Sequence, residues 1–166
     1  MNSLDEKTIY LIWSGKNHMS DARQNSVLTL RRRSGCNVTV VTPENISEFN
    51  SLTRPIHRYY EKLSLTHRSD YLRSYLLYHY GGGYSDIKPF DYDWTPFFNK
   101  LKNSKYSFTG ARETSPLHIA SDDQNIINSY HKLVTMQRLI FKPRTEFALN
   151  WLDKVKKESQ SLFVRE

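Results

Sequence analysis

The sequence predicts an α/β domain: a mainly parallel sheet flanked by helices. Three observations predict it. Two short apolar runs rich in β-formers, "TIYLIW" (8–13) and "NVTVVT" (37–42), have the length and composition of buried strands. A capped helical segment lies between them, so strand, helix and strand form a βαβ unit with parallel strands and a right-handed crossover. Strand and helix signals then keep alternating to the end of the chain, and its 166 residues suit one compact domain.

Each element has its own signal. The first strand ends at the polar turn "SGKNH". In "SDARQNSVLTLRRRSG", Ser20 is the N-cap and Gly35 the C-terminal stop of a helix. Pro43 closes the second strand, and "PENISEFN" and "RPIHRYYEKL" read as short helices or connections with weak periodicity. "THRSDYLRSYLLYHYGG" places Tyr71, Leu72, Tyr75, Leu76 and Tyr78 on overlapping helical faces and stops at Gly81. "GYSDIKPF" follows as a strand or strand end closed by Pro89, then "WTPFFNKL" as a short helix, and "YSFTGAR" and "RLIFKP" as strands. The last helix is "RTEFALNWLDKVKKES", with Phe147, Leu149, Trp151, Leu152 and Val155 on its apolar side.

Composition narrows the function classes. Cys36 is the single cysteine, which excludes an intrachain disulfide and thiolate zinc sites and favours a reducing compartment. "TIYLIW" is too short to span a bilayer and follows Asp5 and Glu6, so neither a signal peptide nor a membrane anchor is expected, and the chain reads as cytoplasmic. The formal charge of +7 favours anionic partners. Arg31 to Arg33 and the basic run at 154–157 read as solvated helix faces. No nucleic-acid motif accompanies the charge, so nucleic acid is not an expected partner, and a basic nucleic-acid-binding domain is the weakest reading. His18, His57, His79, His118 and His131 lack zinc-ligand spacing.

In open α/β sheets ligands bind beyond the carboxyl ends of parallel strands. That rule selects the loop after the first strand, with Trp13 and Ser14, the loop after the second, with Thr42, and "SDIKPFDYD" after the glycines. Trp13 and Thr42 would flank a nucleotide base, and Asp86 with its neighbours would meet phosphates or a metal. Asp70 and Arg73, three apart on a helix, share a face and offer an acceptor beside a donor for sugar hydroxyls; the alternative is a surface ion pair worth about 0.2–0.5 kcal/mol.

"HRSDYLRSYLLYHYGGGYSDIKPF" (67–90) resembles the sugar-binding segment of glycosyltransferases with a DxD motif, a group that includes yeast-type mannosyltransferases, capsular polysaccharide transferases and clostridial glucosylating toxins. Their pattern is aspartate, two residues, arginine, an apolar helix, Tyr-Gly-Gly, an aromatic, then Asp-x-Asp. "YLIWSG" and "IFKPRTEF" are more loosely similar to flanking parts. The resemblance implies a GT-A-like (Rossmann-like) domain, a UDP- or GDP-linked sugar donor, a glycan or polysaccharide acceptor, and Mn²⁺ or Mg²⁺. It implies that Asp70 and Arg73 contact the donor sugar, that Gly82 and Gly83 let the backbone approach it, and that Asp86 reaches the ribose, sugar or metal. Relatives of this kind continue past the last helix assigned here, so the chain is expected to be a minimal version, a fragment or one part of an assembly.

Lys88 stands where the pattern has its second aspartate. Three outcomes follow: Asp86 binds a metal with help from Asp91 or Asp93; Lys88 itself neutralises the diphosphate, with one charge pair at about 4 Å and a dielectric near 20 worth roughly 4 kcal/mol; or the chain binds a donor without transferring it. Near the acceptor, Asp122 or Asp123 would act as the base if transfer inverts the anomeric centre; the alternative is a solvated loop or helix start. The leading function is sugar transfer, and a silent nucleotide-sugar or glycan-binding module is the second.

Overall fold

The computed structural model describes residues 2–119 and 121–161. Five strands, β1 (Thr8–Ile12), β2 (Asn37–Val41), β3 (Gly82–Ser85), β4 (Phe108–Arg112) and β5 (Val134–Phe141), form one sheet in the order β2-β1-β3-β5-β4. The helices are α1 (Asp21–Arg33), α2 (Leu65–His79), α3 (Thr95–Lys102), α4 (Gln124–Asn128) and α5 (Glu146–Ser161). The α/β class is as expected. The sheet is mixed instead of mainly parallel: β1 runs parallel to β2 and β3, whereas β5 runs antiparallel to both β3 and β4. The reason is connectivity. Between β4 and β5 the described residues make short turns and the five-residue α4, with no long crossover helix to carry the chain back to the end where β4 began, so the two strands pair antiparallel.

Side-chain alternation along β1 builds the two layers. Tyr10 and Ile12 point to one face and pack with Tyr71, Leu72, Tyr75 and Leu76 of α2 and Ala148 and Leu152 of α5. Ile9 and Leu11 point to the other and pack with Val27 and Leu30 of α1 and Phe98 and Leu101 of α3. All of these are buried.

The helix limits follow their caps. Ser64 begins α2, its Oγ accepting the His67 N–H at 3.3 Å. Gly81 ends it at φ 66°, the left-handed conformation that a side chain disfavours. α1 ends the same way, with Ser34 as its cap followed by Gly35 at φ 65°. No helix among the described residues is long and apolar enough to cross a membrane.

Candidate functional site at the carboxyl ends of β1 and β3

β1 lies between β2 and β3, and the chain leaves it for β2 over the α1 face and reaches β3 over the α2 face. The crevice beyond the carboxyl ends of β1 and β3 is therefore a topological switch point, where neighbouring loops diverge and leave room for a ligand. A cavity of about 560 Å³ opens there, within the range of roughly 300–1,000 Å³ typical of small-molecule sites.

Three segments supply its walls. The turn after β1 brings Trp13, Ser14 and Asn17, and the first half of α2 brings Ser69, Asp70 and Arg73. The end of β3 brings Tyr84, Asp86, Ile87 and Lys88. Ser14 locks the first two together: its buried hydroxyl donates to the Leu65 carbonyl at 3.0 Å and lies 3.4 Å from Ser69 Oγ. Trp13 is fixed by its indole N–H, which donates to the Asn17 carbonyl at 2.7 Å.

The charged groups form one continuous chain. Arg73 Nη2 lies 2.6 Å from Asp70 Oδ1, and Arg73 Nη1 donates to the Met136 carbonyl at 3.0 Å, which ties α2 to β5. The guanidinium stacks over the Tyr84 ring with 5.0 Å from Cζ to the centroid. The Tyr84 hydroxyl donates to Asp86 Oδ1 at 2.9 Å, and Lys88 Nζ lies 3.3 Å from Asp86 Oδ2. Burial, with the Asp86 charge adding to it, pushes the Tyr84 hydroxyl pKa up, so it remains a proton donor to Asp86. The main chain of Lys88 is fixed by two successive i→i+2 backbone bonds, Lys88 N–H to Asp86 C=O at 2.9 Å and Phe90 N–H to Lys88 C=O at 2.8 Å.

Sequence reasoning missed Arg23. From the first turn of α1 its Nη1 donates to the Ile87 carbonyl, which brings a third cation to the cavity. A signal existed: a cation in the first turn of a helix opposes the macrodipole, a local cost in a helix that otherwise keeps its bases in the last turn. Tyr84 was visible only as the aromatic of the pattern.

Several expected residues lie elsewhere. Thr42 does not line the cavity; its N–H donates to Asn45 Oδ1 at 2.8 Å in the turn after β2. Gly82 and Gly83 are buried within the sheet and face protein. A Cβ on Gly82, whose φ is 86°, would stand 2.6 Å from the Thr8 carbonyl oxygen, and one on Gly83 3.1 Å from Ile9 Cγ1. Both therefore serve strand packing and not approach to a sugar. Asp91 is exposed and outside the cavity. Asp93 is exposed beside Gly35, at the amino end of β2, across the sheet from Asp86, and its Oδ1 accepts the Thr95 N–H at 2.8 Å. That bond holds its carboxyl below the usual range. Asp122 is exposed, and Asp123 caps α4 by accepting the Asn125 N–H at 2.8 Å. Neither lines the cavity, so the helix-start alternative describes them.

The described side chains alone form no ready cage for Mn²⁺ or Mg²⁺. Among the described residues Asp70 and Asp86 are the only carboxylates lining the cavity, and Asp91 and Asp93 are not part of its wall. Both Asp86 oxygens and one Asp70 oxygen already face cationic or hydroxyl donors. Among the described residues no cluster of three ligating side chains exists. Waters and substrate phosphates can complete the shell of a hard divalent ion held by one or two carboxylates, so the feature that opposes an ion here is the Lys88 ammonium beside Asp86, which repels it.

A second cavity, about 640 Å³, adjoins the first through Asp70 and Arg73 and is lined further by His67, Met136, Trp151 and Glu158. Two ligands placed in these cavities would meet at the Asp70–Arg73 pair.

Comparison with curated proteins gives no match. A family model described as capsular polysaccharide synthesis protein matches residues 1–116, a span that contains every residue of the first cavity. With more than two thirds of its length matched, this chain belongs to the capsular polysaccharide synthesis protein family.

Proposed function

We propose that the chain is a glycosyltransferase with a single GT-A-like domain, moving a sugar from a UDP- or GDP-linked donor to a glycan or polysaccharide acceptor. One observation carries the reading: Asp70, Arg73, Asp86 and Lys88, which the sequence pattern picks out, line one cavity at the switch point of the parallel strands. Membership of a polysaccharide-synthesis family supports the choice of substrate class.

The chemistry suits these groups. As the bond from the anomeric carbon to the diphosphate oxygen breaks, negative charge grows on the departing nucleotide and positive charge on the sugar ring. Cations aimed at the diphosphate stabilise that state more than the bound donor, which lowers the barrier. Asp70 and Arg73 would hold sugar hydroxyls, and Asp86 the ribose or sugar. Trp13 would lie against the base. The acceptor would enter the second cavity, where Trp151 offers an aromatic face, and as the new glycosidic bond forms its hydroxyl proton would pass to the departing diphosphate oxygen.

The test is nucleotide release from a panel of UDP- and GDP-sugars. Wild type releases nucleotide from at least one donor, and Arg73→Ala and Asp86→Ala each lose on the order of a hundredfold or more while keeping the wild-type melting temperature within a few degrees. Wild-type rates in both variants would remove the site. The Lys88–Asp86 ion pair favours a second reading, a silent binding module, which is the answer if nucleotide sugars bind and none is turned over.

A further inference from the structure

Among the described residues the cavity carries three cations, Arg23, Arg73 and Lys88, against two carboxylates, Asp70 and Asp86. Arg73 is committed to Asp70 and the Met136 carbonyl, and its side chain is largely buried. Arg23 and Lys88 are the less buried pair, and both are tied to one stretch of backbone: Arg23 donates to the carbonyl of Ile87, the residue between Asp86 and Lys88. Only part of the Arg23 fork is used there, and Lys88 retains donors beyond its contact with Asp86.

We infer that Arg23 and Lys88 together clamp the donor's diphosphate and take the place of the divalent ion, so that nucleotide binding at this site is metal-independent. The inference rests on the donor-site reading above and specifies its electrostatics. Two protein cations supply the same formal charge as one divalent ion, and in a partly enclosed cleft each interacts with phosphate far more strongly than in bulk water. Arg23 also stands in the first turn of α1, where its charge adds to the positive end of the helix dipole; an anion relieves both. A metal bound to Asp86 Oδ2 would have to displace Lys88 and then sit beside its ammonium, whereas a diphosphate arriving at Lys88 meets a donor already held in the cavity by Asp86.

The experiment is calorimetric titration of UDP and of GDP into the full chain, once in EDTA and once in Mn²⁺. The clamp predicts that the preferred nucleotide binds with the same affinity within about twofold in both buffers. Lys88→Ala and Arg23→Gln each weaken binding in EDTA on the order of tenfold, with melting temperatures showing that both remain folded. Lys88→Asp, which restores a second acid, loses binding in EDTA and regains it in Mn²⁺. Binding by wild type in Mn²⁺ alone, or undiminished binding by Lys88→Ala in EDTA, overturns the clamp and leaves the donor site standing. Failure of wild type to bind either nucleotide in either buffer overturns the donor site itself, and the clamp with it.

Discussion

Tyr84 organises the site, because its ring supports Arg73 and its hydroxyl orients Asp86. The contrast with Asp93 and Asp123 shows what one residue's context decides. All three acids follow a strand or precede a helix, yet Asp93 and Asp123 spend their charge on helix-start N–H groups while Asp86 faces a cavity. His79 makes a different kind of residue-scale claim. It is buried with its Nε2 unpartnered, and burial, helped by Arg144 and Arg54, lowers its pKa to about 4. Unfolded, it titrates near its ordinary 6.5, so between the two values the unfolded chain binds more protons, and stability falls as pH drops from about 6.5 to about 4. Urea unfolding at pH 7 and pH 4.5 should show His79→Phe losing about 2–3 kcal/mol less than wild type over that interval. The spacing of Asp70, Arg73 and Asp86 was legible because it lies within one local segment. Arg23 was not, because its role depends on α1 starting beside the end of β3, 64 residues away in sequence.

At the scale of elements, α2 does two jobs. One side of it, with Ser69, Asp70 and Arg73, walls the cavity, while the hydroxyls of Tyr71, Tyr75 and its capping residue Tyr80 anchor the irregular segment between β2 and α2. Tyr75 accepts the Ser51 N–H at 2.7 Å and donates to the Arg54 carbonyl at 3.0 Å, Tyr71 accepts the His57 N–H at 3.0 Å, and Tyr80 donates to the Phe49 carbonyl at 2.8 Å. Tyr75→Phe keeps the ring and removes both bonds, so equilibrium unfolding should show a loss of about 1–2 kcal/mol with an unchanged m-value. The existence of these elements was readable from caps and periodicity: Ser20, Gly35 and Gly81 mark ends that the structure keeps. The direction of β5 was not, because "RLIFKP" carries no mark of its partner, and the strand begins four residues earlier, at Val134.

The whole molecule places a basic chain around one small anion-suited crevice. Arg31 to Arg33 are exposed on the last turn of α1, where they complement the helix dipole as a solvated face does. The sheet separates a tyrosine-rich core against α2 and α5 from an aliphatic and aromatic core against α1 and α3. The cavity opens at the end where helices from both faces begin. That placement turns a local sequence pattern into a site, and it is the central claim. A crystal structure of the chain with UDP or GDP tests it most directly. The account predicts density for the diphosphate between Arg23 and Lys88, with the base against Trp13 and the sugar end toward Asp70 and Arg73; a nucleotide bound away from Asp86 and Lys88 would contradict it.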